Sequence, residues 1–363
     1  MKYALLACVA AVALALTGAA MPARPTSTAS RYTVYLGENG PPQDPALRHV
    51  YGAVNQFLPS RLVIAAGDSV TFSSASFHTV AYAPRPFAPF IPDPGKSTYE
   101  GLDDASGSPF YFDGMPKLIY NPQAFGPFGP KTISGKMPVS SGALSPRGPK
   151  APPATATYTF PAAGTYKLFC ALHPGMKATV VVKPAGSAVP KTPAQVEAQA
   201  LAQQNAAFAK GKVLSKTKVG AKNTVVMGVG GPVAIYAYYP KVLSVKSGTT
   251  VTFVNKSPSE VHDIVFGPKK YLEQWGKKTD LQPQGPKAPN QATPIIPYGT
   301  DPNPLVYDGT STHGNGFFAT PLTAGGPGPL PRSSKVTFTK PGTYHYFCWI
   351  HGPDMSGTIV VKP

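Results

Sequence analysis

Apolar and polar residues alternate with a period of two along most of this chain, and they do so in two matched series. Residues 57–72 and 238–253 each read as a strand, a glycine turn at Gly67 or Gly248, and a second strand. Further paired strands are expected at Thr157–Phe160 and Lys335–Phe338, at Gly164–Cys170 and Gly342–Cys348, and at Thr179–Pro184 and Thr358–Pro363. Short strands punctuated by turns, duplicated in this way, predict an all-β protein of two sandwiches, at 31–186 and 223–363. The pattern changes only between them, in 187–222. Thr192-Pro193-Ala194-Gln195 is a capping box with proline at the first helical position, and an alanine- and glutamine-rich run follows it. A short linker helix is therefore predicted to Lys210, stopped by Gly211 and lying on a sandwich through Val196, Leu201 and Phe208.

Composition agrees with this architecture, since 44 prolines and 36 glycines suit short strands and long loops. Residues 1–23 read as an export signal: Lys2, an apolar run from Ala4 to Leu16, then small residues. The expected location is periplasmic, extracellular or cell-envelope. The net charge of +17 reflects scarce acids as well as abundant bases, with Lys191, Lys210, Lys212, Lys216, Lys218 and Lys222 set against Glu197 alone in the linker. No nucleic-acid recognition motif accompanies that charge, so an acidic protein partner, an anionic surface, an acidic habitat, or simply a solvated basic surface with no special partner accounts for it better.

The candidate chemistry lies at the end of each series. The first closes on Phe169-Cys170-Ala171-Leu172-His173-Pro174-Gly175-Met176 and the second on Phe347-Cys348-Trp349-Ile350-His351-Gly352-Pro353-Asp354-Met355. Period two points Tyr166, Leu168 and Cys170 into the first sandwich, and Tyr344, Tyr346 and Cys348 into the second. The following loops can then bring His173 with Met176, and His351 with Met355, around the thiol. An upstream histidine follows each strand pair, His78 and His262. Two imidazoles, a thiolate and a weak thioether form the ligand set of an electron-transfer copper, whereas structural zinc prefers four strong ligands and paired cysteines. A disulfide between Cys170 and Cys348 is the competing reading. It would leave the duplicated histidines and methionines without a role.

On these phrases both halves resemble cupredoxins, the family of plastocyanin, amicyanin and azurin. The resemblance implies Greek-key sandwiches with one type 1 copper each, held by His78, Cys170, His173 and Met176 and by His262, Cys348, His351 and Met355. It also implies that His173 and His351 present their ring edges to a redox partner such as a cytochrome or oxidase. The family often ties its ligand strands together with Asn after the upstream histidine and Ser or Thr after the cysteine. This chain has Thr79 with Ala171, and Asp263 with Trp349. The apolar Trp349 beside Cys348 favours the less charged reduced site and predicts the higher potential in the second domain. His49, His313 and His345 lack the His-x-His and His-Cys-His contexts that further coppers of an oxidase or reductase require. A carrier without small-molecule substrate chemistry is therefore expected. An envelope copper-buffering protein and a cell-surface interaction protein on the same folds are the alternatives from other classes.

Overall fold

The computed structural model describes residues 28–40, 47, 51–84, 118–119, 126–146, 151–267, 291–292, 305–307, 309, 318–326 and 330–363. The expected export signal, His49, His313 and much of both long insertions lie outside these residues. Among them the chain is all-β except for one helix, and no helix is long and apolar enough to cross a membrane.

Each half is a sandwich of two sheets. In the first half a sheet ordered 154–159, 69–74, 31–36, 57–58 faces one ordered 61–65, 177–183, 164–169, 81–82, 139–141, 127–128. In the second, 233–239, 224–229, 249–256, 333–338, 305–307 faces 242–246, 352–362, 342–348, 265–266, 318–319. The matched phrases occupy matched places. Strand 61–65 lies parallel to 177–183 just as 242–246 lies parallel to 352–362. Burial follows the alternation: Tyr166, Leu168 and Cys170 are buried with Lys167 exposed, and Tyr346 and Cys348 are buried with His345 exposed. Each core is built on aromatic rings, Phe72, Tyr158 and Phe160 in one and Phe253, Phe266 and Tyr346 in the other.

The halves are not simply strung on a linker. Strand Tyr51–Val54, from the first half of the sequence, pairs antiparallel with Val233–Tyr239 and forms the edge of the second domain's sheet. The helix α1, Pro193–Leu214, packs on both this strand and strand 31–36, and a third apolar cluster joins Tyr35, Val54, Leu58, Ala200, Ala207, Val226 and Ile235. The capping box forms as the sequence predicts, with Thr192 Oγ1 accepting from Gln195 N at 3.3 Å and Gln195 Oε1 from Thr192 N at 2.9 Å.

Two details of the helix differ from expectation. It continues past Gly211 to Leu214, and its buried face is Val196, Ala200, Ala207 and Gly211, with Leu201 exposed. Small residues fill that face because two domains close on the helix. A Cβ on Gly211 would stand 3.2 Å from Val233 Cγ1, so glycine here admits a neighbouring strand rather than ending the helix.

Candidate metal centres

The structure brings His78, Cys170 and His173 together in the first domain and His262, Cys348 and His351 in the second, with the donor atoms of each set within 4.8 Å of one another. His78 Nδ1 faces His173 Nδ1 at 3.0 Å, and Cys170 Sγ is 3.6 Å from His173 Nδ1. In the second set His262 Nδ1 and His351 Nδ1 are 3.1 Å apart, and Cys348 Sγ lies 3.8 and 3.4 Å from them. A metal with nitrogen ligands at about 2.0 Å and sulfur at about 2.3 Å holds its donors roughly 3–4 Å apart, so both sets fit one ion. Met176 and Met355 are buried in the same apolar clusters as the cysteines. Both cysteines are free and buried, which removes the disulfide reading.

Local structure explains the convergence. Each cysteine stands at the end of its strand, and Cys170 N donates to Met176 O at 3.0 Å, closing the ligand loop on itself. The upstream histidines are fully buried, their Nε2 atoms have no partner, and their rings fill space left by glycine. Gly37, at φ +79°, would place a Cβ 2.7 Å from His78 Nε2, and Gly228, at φ +58°, would drive one into the His262 ring. Sequence reasoning passed over these two glycines; their signal was a glycine in or beside a strand, which marks close approach of another group. Gly228→Ala is expected to displace His262 and halve the copper bound per chain, which metal analysis will show.

The ligand strands are tied after all, by the residue following each upstream histidine. Thr79 Oγ1 accepts from Ala171 N at 2.8 Å, and Thr79 N lies 3.4 Å from Cys170 Sγ. Asp263 Oδ1 accepts from Trp349 N at 2.8 Å. A backbone N–H serves as donor in both, so neither tie needs Ser or Thr after the cysteine.

The substitution of Asp263 for Thr79 separates the sites electrostatically in the metal-free protein. Burial raises the Cys170 thiol, but hydrogen bonds and charge from His173 and His78 outweigh it and hold the thiol well below its ordinary value. Burial, reinforced by the Asp263 carboxylate, pushes Cys348 well above it. Burial opposes protonation of His173, but Glu260, Cys170 and Glu38 overcome it and raise the imidazole to about 9. His262, buried beside His351, is driven well below its ordinary value. Burial lifts Asp263 to about 7 despite the Trp349 hydrogen bond.

The loop histidines do not open onto solvent. Their side chains are 12% and 8% exposed, and both Nε2 edges turn toward one buried residue, Glu260. The ring edges expected to meet an outside partner are instead covered, that of His173 by Glu260 of the other domain and that of His351 by Glu260 and Tyr236 of its own. The one further histidine among the described residues, His345, lies on the outer strand face with Nδ1 3.0 Å from Thr358 Oγ1.

Residues 225–362 match the family described as copper binding proteins, plastocyanin/azurin family. A reduced amicyanin mutant is 20% identical over 41% of this chain and 89% of its own, with a TM-score of 0.22. A purple cupredoxin from Nitrosopumilus maritimus is 16% identical over 38% of this chain and 98% of its own, with a TM-score of 0.21. No curated protein matches the chain.

Proposed function

We infer that this chain, whose residues 225–362 match the plastocyanin/azurin family of copper-binding proteins, is an electron-transfer protein with one type 1 copper in each domain. The observation that carries the reading is the duplicated cluster of two histidines and a cysteine at the end of a sandwich, with the cysteine and the upstream histidine of each set buried. Bound copper supplies a one-electron couple between Cu(I) and Cu(II). The chain's own residues determine how readily that couple turns over. His78 and His262 are fixed by packing, and the cysteines by their strands, so the donor geometry stays the same when charge changes. The apolar cores around Met176 and Met355 exclude water from the thiolates.

The reading assigns the chain no substrate chemistry. It includes export through residues 1–23 and exchange with a redox protein, acidic where the net charge of +17 steers the encounter.

The copper-loaded protein should bind two coppers per chain, with the intense visible absorption and narrow hyperfine splitting of thiolate-bound Cu(II). Metal analysis with optical and paramagnetic-resonance spectra tests this. A colourless two-copper protein would reject type 1 sites, and a coloured protein without a reversible potential would favour copper buffering.

A further inference from the structure

Glu260 occupies the space between the two centres. Its Oε1 lies 3.7 Å from His173 Nε2, and its Oε2 lies 3.6 Å from His351 Nε2. The carboxylate thus faces a ligand imidazole of each domain with a different oxygen. It is only 6–7% exposed and is gripped from both sides of the interface. Asn55 Nδ2, from the first half of the sequence, donates to Oε1 at 2.5 Å, and the Tyr236 hydroxyl, from the second, donates to the same atom at 3.1 Å. Asn55 is itself held across the boundary, its N–H donating to Pro232 O at 2.8 Å and its amide to Ser259 Oγ at 3.0 Å. The Tyr236 ring packs on the His351 ring, with centroids 3.8 Å apart.

A buried carboxylate needs compensation of this kind. That compensation comes from the Asn55 amide and the Tyr236 hydroxyl, which donate to Oε1, and from the two imidazole edges that face the carboxylate. With Nδ1 of each histidine turned to its centre, Nε2 carries the hydrogen, so both N–H edges point at one anion. A second buried acid, Glu38, accepts from Val54 N at 3.0 Å and also acts on His173.

We propose that Glu260 is a carboxylate bridge coupling the two copper centres, so that electrons pass between the domains of one chain through His173, Glu260 and His351. The proposal rests on the copper reading above. One electron leaves the reduced centre, which is oxidised, and enters the other, which is reduced. No bond forms or breaks, and the step transfers one electron alone between the two centres. A dication bound to one thiolate and neutral imidazoles leaves each oxidised centre with a net positive charge, and the two charges repel across the interface. An anion between them offsets that repulsion and stabilises the oxidised form of both.

Glu260→Gln keeps the shape, removes the charge and turns an NH2 donor toward one of the two histidine edges, because those edges face different oxygens. Both reduction potentials should therefore rise, each by about 59 mV for a tenfold change in a one-electron equilibrium. Glu260→Asp, which keeps the charge, should return both toward the parent values. In the parent full-length protein, partial reduction by a radiolytic pulse should be followed by electron redistribution at a rate independent of protein concentration. That rate should fall severalfold in Glu260→Gln. The proposal is overturned if redistribution in the parent scales with concentration, or if Glu260→Gln moves one potential alone or neither while both centres keep their colour. A parent protein without thiolate-to-copper colour would instead sink the copper reading itself, so the two failures are distinguishable.

Discussion

Replacing Cys170 with alanine is expected to remove one of two copper signals and leave the other at full intensity. The ligand sets share no residue, and each cysteine is anchored by its own strand and buried in its own core. Cys170→Ala deletes the only anionic ligand of the first centre, so its absorption should vanish and the copper bound should drop by half. Cys348→Ala should do the same to the second centre. The surviving centre should shift in potential without losing its colour, because Glu260 links the two electrostatically while sharing no ligand. Absorption and copper content of the two variants and their double check this. Loss of both signals from either single substitution would show that the domains load metal as one unit.

The second large effect concerns Asp263. Its carboxyl is buried, its Oδ2 has no partner, and its pKa rises from an ordinary 3.8 to about 7. A raised carboxyl pKa means that the folded metal-free protein keeps a proton which the unfolded chain has already released. Stability from this group is therefore fully present below pH about 4 and is lost as pH rises toward 7. The loss is about 1.4 kcal/mol per pH unit, or about 4 kcal/mol across the window. Other groups titrate in the same range, so the measurement is a difference. Asp263→Asn, which keeps an oxygen for Trp349 N, should gain on the parent steadily from pH 4 to 7 and run parallel to it above. Denaturant unfolding of both metal-free proteins across this range reads the effect; a constant difference would mean that Asp263 ionises freely in the fold.

In the loaded protein an ionised Asp263 beside Cys348 favours Cu(II), against the higher second-domain potential expected from Trp349 alone. Asp263→Asn should accordingly raise the second potential and leave the first in place.

Much of this protein is determined locally. Period-two alternation decides which side chains enter a sandwich, so the burial of Tyr166, Leu168, Cys170, Tyr346 and Cys348 could be read from the chain. The capping box likewise specifies the start of the helix, because its donors and acceptors are three residues apart. The nearness of each cysteine to its loop histidine follows from the same locality, since a strand end and a short loop hold the two together, twice.

What stayed hidden depends on contacts between residues distant in sequence. Helix periodicity suggested Val196, Leu201 and Phe208 as the packing stripe, of which Val196 and Phe208 do pack and Leu201 stays exposed. The domains selected Ala200, Ala207 and Gly211, because two surfaces approach too closely for larger side chains. Strand 51–54 gives no local sign that its partner is 233–239, since a backbone edge pairs with whatever edge the tertiary fold presents. Gly37 and Gly228 acquire meaning only when a histidine from another strand arrives above them. Glu260 stands beside His262 in sequence as an ordinary loop acid. It becomes the group between two centres only because domain docking buries it and turns His173 and His351 toward the same carboxylate, an arrangement in space that no spacing along one chain encodes.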